Sequence, residues 1–206
     1  RLIVPLKFEA FQSWFVVFPK NTRLMPADVA RSPGAPITPD ALDNFPELQI
    51  VQELTGEWDV AFDTHWGGPA QVRFDQLRDW SQSDDLQIRY YSGKAVYTRK
   101  FDYTAATGGP VYLDLGLVKN IARVALNDQD LGIVWTAPWQ VDLTPALKSG
   151  SNKLKIEVIN LWPNRLIGDA GLPPEKRLTN TNIPFKKDAP LVPSGLLGPV
   201  TLRQRK

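Results

Sequence analysis

Apolar and polar residues alternate with a period of two along most of the chain. Between residues 57 and 63, Trp58, Val60 and Phe62 share one side while Glu57, Asp59 and Asp63 share the other. That spacing predicts a half-buried strand, because successive side chains of extended backbone point to opposite faces. Val72 and Phe74 mark a second short strand, and runs 94–101, 111–115 and 122–126 have the same character. Asn127, Asp128, Gln129 and Asp130 have the composition of a hairpin turn leading into 131–135. Residues 140–143 come next, then Thr144 and Pro145 open a predicted single helical turn, with Thr144 as N-cap and Pro145 first in the helix. In 153–160, Leu154, Ile156 and Val158 face inward against Lys153, Lys155 and Glu157, and 199–203 closes the series. The polar stretch 79–85 is expected to be a loop or short helical turn. Short strands at this spacing, with almost no helix, predict an all-β sandwich or jelly roll.

The first fifty residues break the pattern. Runs 6–11 and 13–18 are aromatic and β-branched, as strands are, but two strands do not make a stable domain. They are expected to complete a neighbouring sheet. Pro, Asp, Ala and Ser then dominate with little periodicity. The predicted organisation is a strand segment over 1–20, a Pro-rich linker over 21–50 and the sandwich over 51–206. The chain opens on Arg1 with neither an initiator Met nor a signal-peptide pattern, so it is expected to be a piece of a longer protein.

Composition sharpens this picture in three places. The 18 prolines argue against long helices. Seven tryptophans exceed what a core of this size needs and hint at stacking surfaces. The absence of cysteine excludes disulfides, thiolate metal sites and cysteine nucleophiles. A formal charge of +2, with basic residues scattered, argues against a nucleic-acid partner. No apolar run approaches the roughly 20 residues of a membrane span.

Candidate chemistry is sparse. His65 is the one histidine and has no second His or Cys to complete a metal site. No nucleophile elbow and no phosphate-binding loop occurs. The richest stretch is Asn160-Leu161-Trp162-Pro163-Asn164-Arg165-Leu166-Ile167-Gly168-Asp169, expected as a loop at one end of the sandwich. Trp162 offers a flat apolar face to a sugar ring, while Asn164, Arg165 and Asp169 offer partners for hydroxyls. The alternative is that Arg165 and Asp169 pin the loop and Trp162 caps the core. Trp135 and Trp139, in the connection 135–139, are further candidates for the same end, with Trp135 expected in the core because it continues an apolar strand.

These residues also carry a resemblance. Runs 92–101, 124–132 and 141–154 resemble the sugar-binding domain of glycoside hydrolase family 2, a galactose-binding-like jelly roll. The stretch from Asn160 to Asp169, followed by Pro193-Ser194-Gly195-Leu196-Leu197-Gly198-Pro199-Val200, resembles the C-terminal region of glycoside hydrolase family 106, the α-L-rhamnosidases. The segment 13–18 resembles the strand that precedes that region. The resemblance implies a parent acting on rhamnose-containing glycans, periplasmic or extracellular, whose catalytic carboxylates lie in an upstream domain. No catalytic residue is therefore expected here. It implies a non-catalytic accessory domain that binds carbohydrate or, alternatively, braces the catalytic barrel without binding sugar. A structural calcium is compatible with such folds, but no residue of this chain is assigned to it.

Overall fold

A computed structural model describes residues 47–104 and 109–205. The expected strand segment 1–20 and most of the expected linker lie outside the described residues. The sandwich begins earlier than residue 51, with strand β1 (Leu48–Glu53).

Among the described residues the strands after β1 are β2 (Trp58–Phe62), β3 (Val72–Phe74), β4 (Lys94–Tyr103), β5 (Val111–Asp114), β6 (Leu117–Lys119) and β7 (Ile121–Leu126). β8 (Gln129–Val134), β9 (Gln140–Asp142), β10 (Gly150–Ile159), β11 (Gly195–Gly198) and β12 (Thr201–Arg205) complete them. A four-stranded sheet runs β1-β12-β5-β9, and a six-stranded one runs β3-β2-β4-β10-β7-β8. β11 and β6 pair separately. All named strand pairs are antiparallel. Leu113 and Leu202 from the smaller sheet meet Val60, Tyr97, Val124 and Ile156 from the larger in one buried cluster. This is the all-β sandwich that the alternation predicts.

The turn chemistry follows local rules. Asn127 and Asp128 both have positive φ, 51° and 65°, the conformation a two-residue hairpin turn between twisted strands requires. The turn at 144–146 is capped differently from expectation. Asp142 Oδ1 accepts from Thr144 N at 2.8 Å, while Thr144 Oγ1 accepts from Val111 N and ties the turn to β5.

The polar stretch 79–85 contributes to the core. Asp79 Oδ1 accepts from Ser81 N, starting a 3₁₀ turn over Trp80–Gln82 that drives Trp80 fully inside. There its Nε1 donates to Tyr97 Oη at 2.7 Å, which satisfies the indole as burial demands. Gly195, at φ 101°, passes so close that an added Cβ would lie 2.6 Å from that nitrogen. The short helix α1 (Leu86–Arg89) follows, capped by Asp85.

Candidate functional site

Most of the stretch 160–169, from Pro163 on, is a helix rather than a loop. Helix α2 (Pro163–Ala170) begins with proline, whose missing N–H is one the first turn leaves unpaired in any case. Its Pro, Asn and Gly content hides it from propensity, so tertiary contacts must hold it. They are unusually polar. Asn164 is fully buried: its Nδ2 donates to Val192 O (2.8 Å) and Ser194 Oγ (2.7 Å), and its Oδ1 accepts from Val192 N (2.8 Å). Arg165 donates from Nε to Tyr90 O at 2.9 Å, and its Nη1 lies 3.5 Å from Asp169 Oδ1. Asp169 Oδ2 accepts from Leu178 N (3.1 Å), Thr179 N (2.8 Å) and Thr179 Oγ1 (2.6 Å).

The helix seats on the loops below it. Ser92 Oγ donates to Leu161 O and accepts from Arg165 N, while Asn160 bridges Tyr91 O and Gly93 N. Tyr90 packs against Gly168, where a Cβ would fall 2.7 Å from the ring. Of the two roles open to Asn164, Arg165 and Asp169, pinning accounts for every bond they make. A sugar would have to displace internal partners to reach them.

What α2 pins is a 24-residue arm, residues 171–194, whose only regular piece is a 3₁₀ turn at Pro174–Lys176. Asp169 holds its outgoing part and Asn164 its return. Arg177 Nε donates to Leu172 O at 2.9 Å within it. Between the arm and α2 lies a cleft of about 660 Å³.

The tryptophans separate into different roles. Trp162 is half-exposed and meets Trp66 edge to face at 4.9 Å. Trp66, which sequence reasoning passed over, sits on the turn that Asp63 caps, with the His65 ring edge to face 5.0 Å away. Trp139 packs half-buried against the core. Trp135 is not in the core. In β8, Gly132 pairs with Val124 and Asp130 with Ala125, so Leu131 is an extra residue. That bulge lets Leu131 and Val134, three apart, both face inward, and it turns Ile133 and Trp135 outward. Among the described residues no ring contact joins Trp135 or Trp139 to Trp162.

The outward tryptophan extends an apolar row. Ile159 of β10 pairs with Ile121 of β7, and the β7–β8 register carried one residue past Ala122–Val134 brings Trp135 beside Ile121. Trp135 is 64% exposed, Ile133 60%, Ile159 42% and Ile121 39%, with Leu161 52% exposed just beyond. Farther along the same face the pattern is charged. Arg123 pairs with Asp130 at 2.9 Å, and Glu157 lies 2.7 Å from Lys155. The Lys155 ammonium holds the Glu157 carboxyl below its usual range.

Among the described residues no three or more His, Asp or Glu side chains gather as a metal site. No helix among them is long and apolar enough to cross a membrane.

The sandwich, with its helix-pinned arm, is a galactose-binding-like domain of the kind found in glycoside hydrolase-related proteins. Residues 77–175 match the family described as "Glycosyl hydrolase 2 galactose-binding domain-like", so the chain carries a domain of that family. A protein of Formosa agariphila provisionally named a beta-glucuronidase is 39% identical over 176 residues, 72% of this chain and 15% of that one. The rhamnosidase from Novosphingobium sp. PP1Y superposes with a TM-score of 0.72 at 41% identity, over 76% of this chain and 15% of its own. The chain thus spans about 15% of the length of each of these relatives.

Proposed function

We propose that this chain is a non-catalytic accessory domain of a larger glycoside hydrolase, and that its principal role is to brace the parent's catalytic domain. The observation that carries this reading is the apolar row on the outer face of the six-stranded sheet. Lys153, Lys155 and Glu157 show the polar pattern that a solvated strand face adopts, and that pattern switches to Ile159, Ile121, Ile133 and Trp135 at one end. Exposed apolar patches of this sort mark interaction surfaces. The occupant is another domain of the parent, since the relatives are more than six times the length this chain spans in them. The burial of Asn164, Arg165 and Asp169 supports bracing over sugar binding at α2.

The parent's reaction is hydrolysis of α-L-rhamnosides from glycans, carried out by carboxylates in a domain upstream of this one. The 41% identity to a rhamnosidase supports this. Such substrates are met in the periplasm or outside the cell, and we assign the parent there. The test is direct: the parent's catalytic domain and this chain are produced as separate polypeptides and mixed. Association is expected, with at least a tenfold loss in the variant combining Trp135→Ser and Ile121→Ser. Undiminished association of that variant would refute the role of the row. Parent protein that cleaves an aryl β-D-glucuronide but not an aryl α-L-rhamnoside would overturn the assigned reaction.

A further inference from the structure

The cleft between α2 and the arm has a chemistry that the bracing role does not use. One wall is Leu166 of α2, and the other carries Arg177, Asn180, Asn182 and Phe185. At about 660 Å³ it falls within the range of small-ligand sites. An unstructured segment of 24 residues is far longer than an ordinary connection, and such segments are commonly binding loops. This one is fastened at both ends through buried side chains. The walls are thus preorganised, which reduces the ordering cost of binding.

The groups lining the cleft specify a ligand. Asn180 and Asn182 each supply a donor and an acceptor, matching hydroxyls that both give and receive hydrogen bonds. Phe185 and Leu166 offer apolar surface to the C–H face of a ring. Asp169 also borders the cleft, but its carboxylate is occupied by the arm and Arg165. Arg177 is left as the cation facing the ligand, with Nε fixed on Leu172 O and the guanidinium presenting further N–H groups. The arm reinforces it: Lys176, Arg177, Lys186 and Lys187 stand against Glu175 and Asp188. We propose that this cleft binds an oligosaccharide bearing a uronic-acid carboxylate, the carboxylate on Arg177 and the neighbouring hydroxyls on Asn180 and Asn182. The site is separate from the apolar row and its occupation does not depend on domain docking.

The experiment titrates the 206-residue chain with trigalacturonic acid and with the neutral trigalactose of the same linkage, by calorimetry and amide chemical shifts. The acidic trisaccharide is expected to bind with a dissociation constant of about a millimolar or tighter, and the neutral one at least about tenfold more weakly. Arg177→Met is expected to weaken the acidic ligand at least about tenfold, with Arg177→Lys intermediate, since a lysine keeps the charge but not the planar fork. Arg177 is exposed, so thermal melts of these variants should match the unmodified chain. Equal binding of the two trisaccharides, unchanged affinity in Arg177→Met, or no heat and no shifts at about 5 mM ligand would each overturn the proposal. Trp135→Ser is expected to bind as the unmodified chain does. A loss there with Arg177→Met unaffected would move the site to the sheet face and overturn it too. Sugar binding and domain docking therefore fail separately.

Discussion

Replacing Asp169 by alanine tests whether α2 and the arm are held as described. The carboxylate is 2% exposed. Its Oδ2 accepts from two backbone N–H groups and one hydroxyl, and its Oδ1 faces the Arg165 guanidinium. Removal leaves a buried guanidinium without its counterion, which costs about 3–5 kcal/mol. Relaxation of the exposed arm offsets the rest of the loss, because Leu178 and Thr179 can turn their N–H groups to water. With a urea m-value of about 1–3 kcal/mol/M, the unfolding midpoint should fall by roughly 1–5 M. Tryptophan fluorescence reports it, since Trp66 and Trp162 lie against this corner. Hydrogen exchange gives the local reading: the amides of Leu178 and Thr179 should lose protection. The paired change of Arg165→Met with Asp169→Leu should recover part of the stability, because it removes both charges together. A loss below about 1 kcal/mol for Asp169→Ala, with those amides still protected, would refute the clamp.

Three further outcomes follow from named contacts. Gly195→Ala should cost about 2–4 kcal/mol, because the backbone sits at φ 101° and the new methyl would meet Trp80 at 2.6 Å; an unchanged melting temperature would contradict this. Trp135→Ser should change stability by no more than about 0.5 kcal/mol, since the side chain is largely exposed; a larger loss in denaturant titration would put it back in the core. Burial pushes the Tyr97 phenol well above the usual value of about 10. Its folded pKa is raised, so its contribution is complete below the usual unfolded value and is lost as pH rises from there toward the folded one. Tyr97 should thus form tyrosinate only as the chain unfolds, and Tyr97→Phe should flatten the alkaline loss of stability; an identical alkaline profile would count against the argument.

Periodicity made the long central strands legible because their alternation is enforced from both sides. Leu154, Ile156 and Val158 face the core while Lys153, Lys155 and Glu157 face water, and one choice of register satisfies both. β1 lacks that contrast. Its residues are half-buried or exposed, and its pairing with β12 slips between Ile50 and Gln52, so the sequence there resembles linker. β6 and β11 are too short to display a period. Helix α2 escaped notice because Pro163, Asn164 and Gly168 are poor helix formers; buried partners far away in sequence, at Tyr90 and Val192, stabilise it. The misplacement of Trp135 had a different cause, since one bulged residue reversed the face of everything after it in β8.

The motif 160–169 shows why residue type alone does not mark a binding group. Asn, Arg and Asp can bind a sugar hydroxyl or a peptide group equally well, because both present the same donors and acceptors. Residue type alone cannot tell the two apart; the direction of each side chain can. Here all three side chains point at backbone: Asn164 at Val192, Arg165 at Tyr90, Asp169 at Leu178 and Thr179. Each bond fixes a segment that would otherwise be free, and the fixed segments present the surface. The groups that can meet a partner are therefore one layer farther out, with Arg177, Asn180 and Asn182 on the arm and Ile121, Ile159 and Trp135 on the sheet. A change in the motif should thus act through stability and arm order, whereas a change in the outer layer should act on binding with the fold intact. Asp169→Ala and Arg177→Met separate the two cases, being eight residues apart with opposite expected signatures.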